Sequence, residues 1–263
     1  MSRLSDLLVD PRLKNVKCDS NEMLEMHRAI LQEKALMRGV FQEFYDECIS
    51  LDRRHLSGVG LQVELGAGSG FFKAAYPEII STDIKPAAHL DMVLDAQDMP
   101  FEPSTVRSIY GINCFHHFRK PEVFLSELVR VLVKGGGCIL IEPHYGLVGR
   151  YFYRWLHSVE SFDMNQEGWH FDTTRYGTIA NQALAYIVFV RDRERFQRSF
   201  PELEIVYQGV ADNYVRYLLS GGLNFRALLP DSFDGIMRLA ESLLRPFHQS
   251  FGLHQTIVLK KVR

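Results

Sequence analysis

Residues 64–70 read ELGAGSG: an acid, then glycines at 66, 68 and 70. Behind the apolar run LQV, such a turn presents bare backbone that a ligand can approach without meeting a Cβ. Two further acids follow apolar runs, Asp83 in STDIKP and Asp95 in LDAQDMPF. A carboxylate just past a strand can accept both hydroxyls of a ribose. Three histidines add acid–base capacity near neutral pH: His116 and His117 in NCFHHF, and His144 in EPHYG. Each of these groups also has a purely structural use. Glu64 can cap its own turn, Asp83 can cap a helix ahead of Lys85, and Asp95 with Asp98 can close a tight turn. Which use prevails depends on the elements that carry them.

Those elements alternate. GLQVEL, EIISTD, LDMVLD, SIYGINC and GCILIEPH read as buried strands, and VFLSELVRVLVKGG sets Leu125, Leu128, Val129 and Leu132 on one helical face with Gly135 as its stop. Strands alternating with helices predict a parallel sheet with crossover connections. Residues 21–51 carry apolar groups at helical spacing and predict one or two amphipathic helices. Beyond residue 145 the alternation stops. The stretches 149–162, 174–189 and 191–200 read mainly as helices, LEIVYQGV and HQTIVLKKVR as two last strands, and FDGIMRLAESLLRPF as a helix between them. One of the two last strands is expected to run antiparallel at the sheet edge. The organisation expected is a single α/β domain over 1–263. It comprises N-terminal helices over 1–55, a nucleotide-binding core over 56–146, a helical cap insertion over 147–200, and C-terminal strands with a helical insertion over 201–263.

A P-loop needs a lysine–hydroxyl pair at the end of GxxxxGK[ST], and none follows Gly66. A dinucleotide turn needs its third glycine at position 71, where this chain has Phe71. The set E-x-G-x-G-x-G, Asp83, DAQDMPF, NCFHHF and KPEVFLSELVRVLVKGGGCILIEP instead resembles the type 11 branch of class I S-adenosyl-L-methionine (SAM)-dependent methyltransferases, in order and spacing, over about 60–146. Met99 departs from the leucine usual in the family's D-A-x-x-L-P-F segment. The resemblance implies a Rossmann-like, mostly parallel α/β sheet with an antiparallel edge strand and helical cap insertions. It implies SAM as cofactor, bound by Glu64, Gly66, Ala67, Gly68, Gly70, Asp83, Ile84, Asp95, Ala96 and Asn113. In that scheme the glycines lie under the methionine and ribose, Asp83 holds the ribose, and Asp95 reaches the adenine amino group while the following backbone brackets the ring. NCFHHF lies beside the transferable methyl.

Methyl transfer from a sulfonium is an in-line displacement, so alignment in a dry pocket is the main requirement. A hydroxyl nucleophile gains further from a base, and the histidine pair tilts the reading toward O-methylation, with His117, His116 and His144 as candidate catalytic residues. C- or N-methylation of a metabolite, or SAM binding without turnover, is the alternative. NCFH lacks the two prolines of the tetrad that holds exocyclic amines in base methyltransferases, which weighs against nucleic-acid bases as acceptors. Only Glu142 adds an acid near the strand ends, so no metal is expected, and His157, Glu160 and His170 read as the polar face of a lid helix.

Type 11 relatives act on small metabolites, quinones, sterols and sugars, which implies a small-molecule, sugar or lipid-linked glycan acceptor roofed by 146–200 and 211–253. Tyr151, Phe152, Tyr153 and Trp155 read mostly as cap core, while YFYRWL as a unit suits sugar stacking or peripheral membrane contact. RDRERFQR reads as a solvated helix face. Thirty Lys+Arg against 32 Asp+Glu, a net charge of -2, weighs against a nucleic-acid partner. Cys18, Cys48, Cys114 and Cys138 lack metal-like spacing and read as buried thiols in a reducing compartment. The N-terminus lacks the apolar core of a signal peptide, and no run approaches the roughly 20 apolar residues of a membrane span. A cytoplasmic location is therefore expected, and the sequence leaves the oligomeric state open.

Overall fold

The computed structural model describes residues 8–14, 16, 20–156, 160–170 and 180–263, and its centre is one seven-stranded sheet. The strands are β1 (Leu61–Leu65), β2 (Ile80–Asp83), β3 (Met92–Val93), β4 (Val106–Ile112), β5 (Leu132–Pro143), β6 (Leu203–Val210) and β7 (His254–Lys261). Their spatial order is β3-β2-β1-β4-β5-β7-β6. Neighbours from β3 to β5 are parallel, and β7 runs antiparallel to both β5 and β6. The Rossmann-like sheet expected from the sequence is the one that forms. Its antiparallel member sits one place in from the edge, because β6 lies outside it.

The sheet is central because its inner strands β4, β5 and β7 are buried on both faces. In β5 every residue from Gly137 to Pro143 pairs with β7, and Cys138 through Ile141 are fully buried. One face is covered by α2 (Ala35–His55), which follows α1 (Asn21–Glu33) and whose Val40, Phe44, Cys48 and Leu51 pack with Tyr110, Ile139 and Val258. The two helices predicted as one or two over 21–51 break at Lys34, whose extended backbone (φ -81, ψ 95) ends the first. Its Nζ then donates to the Gly222 and Phe225 carbonyls, which fixes the bend to the C-terminal region. Ser20 starts α1 by accepting from the Met23 N–H at 3.1 Å. Asp52 of α2 is buried and accepts from Arg107 at 2.5 Å, Tyr110 Oη at 2.7 Å and Ser108 Oγ, which ties the helix to β4.

After α3 (Phe72–Ala75), the crossover helix α4 (Pro121–Val131) buries Phe124, Leu125, Leu128 and Val131 on the other face. It ends at Val131, short of the stop expected at Gly135, and leaves out Leu132, which the spacing put on its apolar face. That residue turns extended (φ -69, ψ 139) and begins β5 at once, and the register then shifts before Gly137. Gly135 (φ +85) therefore serves this irregularity rather than the helix end.

The region expected as a helical cap is less regular than its spacing implied. It contains α5 (Leu147–Tyr151), a π-helical turn at Phe152–Leu156, non-helical chain at 160–170, α6 (Leu184–Tyr186), a second π turn at Ile187–Arg191, and α7 (Arg193–Ser199). The helix expected over 174–189 falls partly outside the described residues, as do Cys18 and His157. The C-terminal insertion holds α8 (Tyr214–Leu219), α9 (Asp234–Leu244) and α10 (His248–Phe251). Buried Arg216 of α8 bridges Glu43 of α2 at 2.6 Å and Glu241 of α9 at 2.7 Å, locking this insertion to the helical layer. No helix among the described residues is long and apolar enough to cross a membrane.

Candidate active site

Parallel pairing brings Glu64 on β1, Asp83 at the end of β2, Asp95 just past β3 and Asn113 just past β4 to one edge of the sheet. The chain leaves β1 through Gly66 (φ +62) and Gly68 (φ +50). At Gly66 a Cβ would meet Cys114 Cβ at 2.7 Å, so packing alone requires glycine there. At Gly68 the nearest atoms to a Cβ are the Gly66 carbonyl at 3.7 Å and Leu24 at 3.8 Å. That open, left-handed position is the bare backbone a cofactor of the expected kind needs.

The turn is held from several sides. Asp83 accepts from the Gly68 N–H at 2.9 Å with one oxygen and from the Lys85 N–H at 2.9 Å with the other. His89 Nε2 bonds the Gly68 carbonyl at 2.8 Å, and Tyr45 Oη accepts from the Phe71 N–H at 2.8 Å. From α1, Arg28 donates to the Gly70 carbonyl at 2.7 Å and lies 4.0 Å over the Phe71 ring. Sequence reasoning missed Arg28, Tyr45 and His89. They belong to no motif, and only their polar character on otherwise apolar helical or turn segments marks them.

Glu64 lies beneath this turn, with Oε1 3.7 Å from where a Gly70 Cβ would stand, and is 4% exposed. Burial pushes its carboxyl pKa up to about 8, against a lowering hydrogen bond from Ser81. A cation above the turn would draw it back to the carboxylate. Asp95 accepts from the Gln97 N–H at 2.8 Å, the turn chemistry of its structural reading, and Ala96 behind it is buried. Ile84 is exposed at the tip of β2 and Ala67 is buried in the turn. Asn113 holds a left-handed conformation (φ 52) that non-glycine residues seldom adopt, and its N–H donates to the Ile141 carbonyl at 2.8 Å.

A second group forms past β4. The 3-10 turn Phe115–His117 is capped by Glu142 of β5, whose Oε1 accepts from the Cys114 N–H at 2.9 Å and the Phe115 N–H at 2.7 Å. Its Oε2 takes His116 Nδ1 at 2.6 Å. Glu160 then enters from the cap, 3.4 Å from His116 Nε2 and 3.6 Å from His117 Nε2. The two imidazole centroids are 4.4 Å apart. Glu142 and His116 are buried, whereas the His117 side chain is 43% exposed, so only the latter opens to solvent. Burial disfavours charge on His116, but the Glu142 charge and the hydrogen bonds the ring donates to both glutamates outweigh it and raise its pKa to about 10.

Glu160 is held in place by backbone. Ser161 bridges Asn181, whose N–H donates to the His116 carbonyl at 3.1 Å, and the Gln182 N–H donates to the Ser161 carbonyl at 2.9 Å. The Asn181 side chain adds bonds to Asp163 and Gln166. The sequence paired Glu160 with His157 and His170, and the structure does not bring it together with His170, which is 3.6 Å from Glu122.

The third candidate base, His144, stands apart from this group. It is 2% exposed, its Nε2 bonds the Gln249 carbonyl at 3.0 Å, and burial lowers its pKa. Of the aromatics expected as cap core, Tyr153 is buried and its hydroxyl donates to the Leu253 carbonyl at 2.6 Å. Tyr151 (69%), at the end of α5, and Trp155 (67%) face solvent instead, and Trp155 lies in a π-helical turn that no longer repeats at the α-helical period. Cys48, Cys114 and Cys138 are buried thiols, as their spacing implied.

A model of the type 11 methyltransferase domain matches residues 63–140, the stretch from β1 to β5 that carries the turn, the acids and both neighbouring histidines. No curated protein sequence matches the chain significantly. Among solved structures, a geranyl diphosphate C-methyltransferase from Streptomyces coelicolor A3(2), crystallised with Mg2+, geranyl diphosphate and S-adenosyl-L-homocysteine, is similar at 13% identity. The match covers 97% of this chain and 89% of that one, with a TM-score of 0.50. A geranyl diphosphate methyltransferase in complex with SAM matches at 14% identity over 97% and 96% of the two chains, with a TM-score of 0.46. The [4+2]-cyclase SpnF matches at 13% identity over 82% and 81%, with a TM-score of 0.47. Turn, strand-end acids and matched segment agree: residues 63–140 carry a SAM-dependent methyltransferase domain, set in a sheet with the class I methyltransferase fold.

Proposed function

We propose that the protein methylates a hydroxyl of a small-molecule, sugar or lipid-linked glycan acceptor. The observation that carries this reading is the His116–His117–Glu160 group past β4, one sheet strand away from the glycine turn. SAM supplies a methyl on a sulfonium. The open Gly68 backbone, the buried Glu64 carboxyl beneath it and the acids at the tips of β2 and β3 fit that cofactor, and we assign them to it. Glu64 faces its cationic amino end, Asp83 its ribose, and Asp95, Ala96 and Ile84 its adenine, with Gly66, Ala67, Gly70 and Asn113 shaping the wall.

The rest of the work is alignment. The strand ends and the cap exclude water from the reacting centre and hold the acceptor in line, which supplies most of the rate. A hydroxyl must also shed a proton as the C–O bond forms, and polar groups placed at that atom assist its loss. His117, the half-open imidazole, and Glu160 are the side chains we place against the acceptor hydroxyl. His116 supports them from beneath and His144 takes no part, since its ring is committed to the Gln249 carbonyl. Carbon-13-methyl SAM incubated with the enzyme and a fractionated metabolite extract tests this, because the methyl carbon shift separates O-, N- and C-methyl products. An O-methyl product supports the reading, and a C- or N-methyl product overturns it.

A further inference from the structure

His116 is oriented in a way its structural duties do not require. Glu142 is fully buried and already caps the turn with one oxygen, yet its other oxygen takes His116 Nδ1 at 2.6 Å. A carboxylate behind one ring nitrogen fixes the imidazole and directs the opposite nitrogen outward, the arrangement found behind metal-ligating histidines. The outward atom, Nε2, faces Glu160 at 3.4 Å, and His117 Nε2 faces the other oxygen of the same carboxylate at 3.6 Å. One donor atom from each of the three residues lies within 4.8 Å of the others. Donors sharing one ion at bonds of about 2.1 Å stand roughly 3–3.5 Å apart, so a small rotation of the partly exposed His117 ring closes the set.

Backbone holds this geometry as well. The Ser161–Asn181 bridge and the Asn181 N–H bond to the His116 carbonyl pin the segment that carries Glu160 to the turn that carries both histidines. A cap needed only to cover the acceptor has no reason to deliver a carboxylate onto two imidazoles.

We infer that His116, His117 and Glu160 bind one first-row divalent transition-metal ion, with Glu142 as the positioning carboxylate behind His116. Two imidazoles and one carboxylate suit Zn2+, Co2+, Ni2+ or Fe2+ better than Mg2+ or Ca2+, which prefer oxygen donors. Three protein ligands leave coordination positions open, and an acceptor oxygen taken there would lose its proton more readily. That use rests on the O-methylation reading, whereas binding of the ion does not.

The test uses the full chain, stripped with EDTA and titrated with Co2+ alone, read by visible absorbance and calorimetry. Wild type is expected to take up one ion, which Zn2+ displaces. Glu160→Gln and His117→Ala should each weaken Co2+ at least about tenfold, and Glu142→Gln by about 10–100-fold, with affinity for S-adenosylhomocysteine held within about twofold as proof of folding. His248→Gln, a histidine on a distant helix, should bind like wild type. A wild type that takes up no stoichiometric ion overturns the site. So do Glu160→Gln and His117→Ala variants that bind Co2+ normally with cofactor affinity intact. An ion bound by an enzyme whose product carries an N- or C-methyl supports the site and refutes the O-methyl reading. An O-methyl product from a chain without ion affinity does the reverse.

Discussion

The glycine turn and the histidine group lie at the same sheet edge, yet they are built differently. The turn and its acids come from residues 64–95, brought together by consecutive parallel strands, and nearly every group in them is held by neighbours in that stretch or by α1 and α2. The histidine group draws on residues 116, 142, 160 and 181, from two strand ends and two separate parts of the cap. A site made by local chain order is shared with any protein that keeps the order. A site assembled across an insertion belongs to the chain that has the insertion. On the function proposed above, the turn would carry the general property, cofactor binding, and the histidine group the particular one.

That contrast can be broken experimentally. The largest effect is expected from Glu142→Ala, which leaves two buried N–H groups and the His116 imidazole without their partner. Losing one member of a buried ionic group costs about 3–5 kcal/mol, measured by denaturant unfolding. A variant as stable as wild type would mean the histidine group does not depend on β5.

Next is Gly68→Val. A branched side chain at φ +50 is strained and fills the open face of the turn, so S-adenosylhomocysteine affinity should fall by about a hundredfold or more by calorimetry. The His116–Glu142 contact should survive, since nothing of Gly68 touches it. Unchanged cofactor affinity would remove the turn from the cofactor site.

The smallest effect is on stability against pH. Glu64 titrates near its ordinary carboxylate value when unfolded and at about 8 when folded, so across that window the native state holds the extra proton. Stability of the cofactor-free protein should accordingly fall as pH rises from about 5 and level off above about 8, by the linkage of proton binding to folding. Melting temperatures should show this slope, and Glu64→Gln should flatten it. A slope that survives in the variant would assign it to another buried acid, such as Glu47, whose carboxyl burial also raises.

Much of this was legible in the chain itself. Alternation of apolar runs and helical spacing between 60 and 145 specified a parallel sheet because its central strands, β4 and β5 above all, are buried on both faces. The glycines specified the turn because left-handed backbone and a Cys114 contact at Gly66 leave no other residue type. The cap was less legible. The helical period read over 149–162 gives way to a π turn, and the dense aromatics of YFYRWL divide between core and solvent.

Sequence by itself determined the parallel strands between 60 and 145, the turn and the acids around it, because each depends on residues close in the chain and on the period of a single strand or helix. Tertiary structure alone decided that Glu160 meets His116 and His117, that His144 does not, and that Arg28 from a distant helix seals the turn. Those pairings depend on how separately formed elements pack, and no spacing along the chain encodes the distance across a folded sheet edge.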